Sequence, residues 1–169
     1  MLKDESKVVQ LNDSKDEEII DVEIKAIKKK RIRLNGDYNK VIELNTSDLS
    51  IMNRVSEVYP KLNKLALEGA TDDAYLADDS DEEAFKAASE KLAKIDGQIR
   101  EVVDYIFDYP VSAVCADNGT MLDPVNGSFR FEHIIETLLG LYEQSFTQEY
   151  KKIADKMKKH TSKYSKKRK

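Results

Sequence analysis

The sequence predicts a mainly helical α+β fold, with a small N-terminal β-hairpin followed by three long helices, the last two forming a helical hairpin. Three observations carry this reading. Residues 128–164 form the longest apolar-periodic run, residues 85–109 repeat apolar side chains at steps of three and four, and residues 22–44 alternate at period two around Asn35-Gly36. Aromatic residues make up 8% of the chain, none of them Trp, and charged residues 36%, a balance that suits a slender helical assembly better than a thick core.

In chain order, residues 1–21 are rich in Asp, Glu, Lys and Ser, with only Val8-Val9 and Ile19-Ile20 as apolar groups, so a flexible acidic tail is expected. Val22, Ile24 and Ala26 then alternate with charged residues, and Lys30-Arg31-Ile32-Arg33-Leu34 continues the alternation. Asn35-Gly36 accepts the positive φ angles of a tight hairpin turn, which makes residues 38–44 the returning strand. Two strands alone are marginal in water, so the hairpin must lie against helices or pair with another chain.

Asn45-Thr46-Ser47-Asp48 offers helix-capping side chains, and Ile51, Val55, Val58, Leu62 and Leu65 behind it predict a first helix over residues 49–68. Pro60 removes one backbone hydrogen bond and predicts a kink or break after Tyr59, and Gly69 is a stop signal. Residues 70–80 read as an acidic linker ending in Ser80-x-x-Glu83, a capping box for the second helix. Phe85, Ala88, Leu92, Ile95, Ile99, Val102, Ile106 and Tyr109 then form an unbroken seam, weakened at Gly97 and ended by Pro110. Residues 110–127 read as a loop, with turn signals at Asp117-Asn118-Gly119 and Asn126-Gly127. Ser128 is the expected N-cap of the third helix, whose apolar face includes Phe131, Ile135, Leu138, Tyr142, Phe146, Tyr150, Ile153 and Met157. The expected core is the second-helix seam against Ile135, Leu138 and Tyr142, with the first helix capping the pair. One folded unit over residues 22–162 and a basic tail over 163–169 complete the organisation.

A lone Cys115 excludes an internal disulfide framework and fits a reducing compartment. No stretch approaches the roughly 18 apolar residues of a membrane span, and the MLKDESK start lacks an apolar signal region, so no membrane role is expected. His133 and His160 have no clustered donors around them, and no phosphate-cradling glycine loop, G-x-S-x-G elbow or H-E-x-x-H occurs. The run Asp72-Asp73, Asp78-Asp79 and Asp81-Glu82-Glu83 lacks the alternating donors and central glycine of a calcium loop. No catalytic residue, metal or cofactor is therefore expected. Phe107, Leu139, Leu141 and Phe146 lie off the main seams and are the candidate partner-binding residues, with self-association as a further use of apolar surface.

The order of a basic strand, an NG turn, a second strand, a capped helix, an acidic linker and two long helices ending in Lys-rich residues resembles tail assembly chaperones of long-tailed phages infecting Gram-positive bacteria. The stretches that carry it are RIRLNGDYNKVIELNTSDLS at residues 31–50 and YKKIADKMKKHTSKY at residues 150–164. The resemblance implies a non-enzymatic assembly factor in the host cytoplasm, absent from the finished virion, whose partners are the tape-measure protein and tail-tube subunits. It also implies a frameshifted longer product, for which codons of Lys166-Lys167 could supply the slippery site. Two alternatives stand beside it: a nucleic-acid accessory protein using the basic end, Lys163 and Lys166-Lys167-Arg168-Lys169, or a structural subunit retained in the virion.

Overall fold

The computed structural model describes residues 20–25, 27, 29–70 and 81–165. Its elements run β1 (Lys30–Arg33), β2 (Val41–Leu44), α1 (Ser50–Ala70), α2 (Glu82–Phe107), α3 (Val111–Cys115), β3 (Pro124–Val125), β4 (Ser128–Phe129) and α4 (Arg130–Ser165). The fold is mainly α with a small β-hairpin, as the hydrophobic periods predict.

β1 and β2 pair antiparallel, with Ile32 opposite Ile42 and Arg33 opposite Val41. The connection is longer than the tight turn expected, and the returning strand covers Val41–Leu44 of the expected 38–44. Asn35 and Gly36 do take positive φ, 50° and 75°, but Leu34 N–H donates to Lys40 O and Asp37 N–H to Leu34 O, which holds residues 37–40 in further turns before β2 begins. Val22 and Ile24, expected on a strand, lie outside β1 and are exposed.

α1 starts where Asp48 accepts from Ser50 N–H at 2.9 Å. It runs unbroken through Pro60, because Pro60 and the Ser56 carbonyl left without its partner both lie on the exposed face, where water can replace the bond. Its near neighbour is α2, and the pair is antiparallel: Arg54 meets Ile106, Tyr105 meets Glu57, and Leu65 lies by Ile95. This is the most extensive helix pairing in the molecule, and α1 is more than a cap on an α2–α4 pair. Gly69, expected as a stop signal, lies inside α1 with Ala70 still helical; it is buried, and a Cβ there would come within 2.9 Å of the Leu122 side chain, so close approach favours glycine.

Asp81, not Ser80, caps α2, accepting from Ala84 N–H at 3.1 Å. Asp108 ends it in the left-handed conformation, φ 50°, with its N–H on the Asp104 and Tyr105 carbonyls. Residues 110–127 are more ordered than a loop. They hold α3 and the start of a second hairpin, in which Asn126 and Gly127 at φ 49° and 83° form the two-residue turn between β3 and β4. Ser128 consequently pairs with Val125 instead of capping α4, and Glu132 takes over at the helix start by accepting from Phe129 N–H at 2.7 Å.

One core joins the four helices to the first hairpin and β4. Ile42, Ile51, Ile99, Val103, Ile106, Val111, Ala116 and Met121 are fully enclosed, and Leu138 and Tyr142 of α4 close over them. α4 reaches Ser165, so the first residues of the expected basic tail are helical. The remainder of that tail, residues 1–19 of the expected acidic tail and residues 71–80 of the linker lie outside the described residues.

Candidate functional site

The surface of interest begins where α4 leaves the domain. Up to Phe146 the helix is anchored. Phe131, Leu138 and Tyr142 are buried, Tyr142 packs on Phe107 with ring centroids 6.1 Å apart, and Phe146 meets Tyr142 edge-on at 6.2 Å. Burial pushes the Tyr142 hydroxyl to about 12. A polar clamp fixes the last buried turn: Lys30 Nζ donates to Ser145 Oγ at 2.7 Å, and Ser145 Oγ donates to the buried Thr46 hydroxyl at 2.8 Å.

From Thr147 to Lys159 every residue is exposed, a segment called the arm below. The apolar period does not stop with the domain. From Leu138 and Tyr142 it continues through Phe146 to Tyr150, Ile153 and Met157, which are 55%, 50% and 67% exposed. At about 100° per residue these three share one side of the helix, with Lys156 on one flank and Lys151 and Lys158 on the other. None of those three lysines makes an ion pair among the described residues, whereas Lys152 pairs with Glu149 at 2.7 Å.

The sequence-predicted partner residues are placed differently from one another. Phe107 is 3% exposed and belongs to the core, so it is corrected from partner-binding to structural; the off-seam position that singled it out is where α2 meets Tyr142 of α4. Leu139, Leu141 and Phe146 are half-buried and packed against that core. Tyr150, Ile153 and Met157 were read as part of a covered helix face. The signal that separates them is the flank: four lysines within residues 151–158, where the buried half of the helix has none.

A second exposed apolar feature lies at the other end of the molecule. The N-terminal half of α2 and the segment before β3 enclose an open groove of about 470 Å³, lined by Phe85, Ala88, Leu92, Leu122 and Pro124. Its floor is held by a lattice of polar contacts. Asp96 accepts from Met121 N–H and, at 2.7 Å, from Arg100 Nε; Arg100 reaches Gly119 O at 2.7 Å; Arg130 reaches Ala116 O at 2.6 Å and Asp123 at 2.8 Å. The Thr120 hydroxyl bonded to Asp123, together with the Arg130 charge, holds that carboxyl below the usual carboxylate range despite an opposing effect of burial. Asp81 and Glu82 stand one turn before Phe85 at the start of α2, where the Asp81 side chain accepts from Ala84 N–H.

The titratable groups that suggest chemistry are otherwise occupied. His133 Nε2 donates to Val125 O at 2.8 Å, stapling α4 to the β3–β4 turn. Burial, with the Asp104 charge adding to it, raises the Cys115 thiol to about 11, which disfavours the reactive thiolate. Among the described residues no group of three or more His, Cys, Asp or Glu is placed to hold a metal ion, and no helix is long and apolar enough to cross a membrane.

Against known proteins, no family model matches the chain, and neither a curated protein nor a solved structure matches it.

Proposed function

We propose that this chain is a phage tail assembly chaperone, a non-catalytic factor that binds the tape-measure protein and tail-tube subunits in the host cytoplasm and leaves before the particle is complete. One observation carries the reading: a helical arm that leaves the domain with an exposed apolar stripe and lysine flanks. Such an arm can lay its apolar side along a client helix, and its continuity with the anchored half of α4 means that little order has to be created on binding. The element order and the Lys-rich helix end that resemble the chaperones supply the client's identity.

Co-expression tests it. The tape-measure protein is expected to become soluble and to co-purify with this chain, and Tyr150→Glu with Ile153→Glu is expected to abolish co-purification without changing the melting temperature. Client solubility indifferent to the chain would sink the proposal. A second reading rests on a different face, the cleft between α1 and α2 lined by Lys61, Lys64, Lys91 and Lys94. If that cleft binds nucleic acid, affinity must fall steeply with salt and be lost on substituting Lys61 and Lys94, with the arm variant unaffected.

A further inference from the structure

We propose that the outer face of the β1–β2 hairpin binds single-stranded nucleic acid, with a base stacked on Tyr38 and phosphates held by Lys29, Arg31 and Arg33. The inference rests on neither the arm nor the α1–α2 cleft. Although the chain carries a net charge of −4, six of the ten residues 24–33 are Lys or Arg and none is Asp or Glu. The strand is basic within an acidic chain.

Alternation along β1 divides its side chains between two faces. Ile32 packs on the core opposite Ile42, and Lys30, opposite Leu44, reaches the Ser145 hydroxyl at 2.7 Å, so the even positions face the body. Arg31 and Arg33, about 7 Å apart, point outward. Arg31 stands opposite Glu43 at 3.4 Å with its side chain 74% exposed, whereas Arg33 stands opposite Val41 and makes no ion pair among the described residues. The Arg33 guanidinium lies instead over the Tyr38 ring, 4.3 Å from its centroid. Tyr38 is 82% exposed, more than any other described aromatic residue, which leaves the second face of its ring open to solvent. Lys29, also exposed, precedes the strand. The remaining nearby carboxylates are engaged elsewhere: Asp37 accepts from Asn39 N–H at 2.9 Å, and Asp117 takes the Lys40 ammonium at 2.6 Å.

This combination selects the partner. An acidic peptide would use the cations and leave the ring idle, whereas a nucleobase offers a flat π-face to Tyr38 while its phosphates meet the guanidinium groups. In a duplex the base faces are hidden in the stack, so the strand must be single. The α1–α2 cleft, for comparison, has four lysines and no aromatic residue in its lining.

The chain has no Trp, so Tyr38→Trp installs a single fluorophore at the stacking position. Titrating this full-length variant with a short oligothymidylate at low salt is expected to quench its emission with micromolar affinity, and three phosphate contacts give a slope of about −2 in log affinity against log salt. Polyphosphate, charged but without bases, should leave the emission unchanged. Oligouridylate in parallel tells an RNA ligand from a DNA one. With a labelled oligothymidylate read by anisotropy, Tyr38→Ala should weaken binding about tenfold, Tyr38→Phe should bind like the unaltered chain, and Arg31→Ala with Arg33→Ala should flatten the salt slope by about 1.4. These side chains are exposed, so every variant should melt like wild type, and none touches the arm, which keeps the result independent of the chaperone reading. Absence of quenching at submillimolar oligothymidylate, quenching by polyphosphate, tighter binding of a duplex than of the single strand, or loss of binding on substituting Lys61 and Lys94 would each overturn the proposal.

Discussion

The two halves of α4 share one period and have opposite surroundings. Residues 130–146 bury Phe131, Leu138 and Tyr142 against the domain; residues 147–159 present Tyr150, Ile153 and Met157 on the continuation of the same side with every position exposed. Helical propensity and apolar spacing do not distinguish them. What differs is the reach of the body: Lys30, Ser145 and Thr46 bond at the last buried turn of the helix, and from Thr147 to Lys159 every position is exposed. A hydrophobic stripe therefore states that a helix wants a covered face, and the rest of the fold decides whether the cover comes from within the chain.

The comparison breaks most visibly at a charge. Ile99 is fully enclosed in the seam between the helices, so Ile99→Asp places an unpaired carboxylate in the core and is expected to cost several kcal/mol. Ile153→Asp, at a position of the same residue type on the arm, should leave the melting temperature at the wild-type value. Urea denaturation monitored by circular dichroism reads both. An Ile99→Asp chain as stable as wild type would mean that the seam is not the core.

A smaller loss is expected at the polar lattice beneath the groove. Asp96→Ala leaves Met121 N–H without its acceptor and removes the partner of Arg100; with the carboxylate only 15% exposed, the cost is roughly 1–3 kcal/mol. The Glu149–Lys152 pair on the arm has the same 2.7 Å separation as Asp96–Arg100 but is 52% and 69% exposed, so Lys152→Ala should not move the denaturation midpoint. Equal effects from the two substitutions would show that the arm is docked in the isolated chain.

The fold class was legible because its signals are local and repeated: period two over the first hairpin, and steps of three and four through Ile51, Ile99 and Tyr142. Boundaries were misread where tertiary contacts outweighed a local signal. Ser128 looks like an N-cap, but Asn126-Gly127 draws it into the second hairpin; Pro60 looks like a break, but it lies on a face where water can satisfy the open carbonyl. The lattice of Asp96, Arg100, Asp123 and Arg130 was invisible for another reason. Its members are charged residues far apart in sequence, without a period, and only the approach of residues 116–123 to α2 makes them partners. For the partner surface, off-seam position was a poor guide, since it selected Phe107 where two helices meet. Lysine density beside the stripe of Tyr150 and Ile153 is the better signal, because it marks where an apolar face runs beyond the domain.

The smallest effect is on a thiol and not on stability, and it contrasts the same two regions. Cys115 sits at the end of α3, where burial raises its thiol to about 11. A raised thiol pKa leaves less thiolate, so at pH 8 only about one molecule in a thousand is reactive, against roughly a quarter for an ordinary cysteine with pKa near 8.5. Iodoacetamide should therefore modify native Cys115 on the order of a hundredfold more slowly than a cysteine installed on the arm by Ile153→Cys. The rate at Cys115 should climb about tenfold per pH unit between 8 and 10, while that at position 153 levels off near pH 9. Mass spectrometry of the alkylated chain measures both sites in one sample. Rapid labelling of Cys115 at pH 8 would mean that α3 opens in solution, which would remove the contrast with the arm.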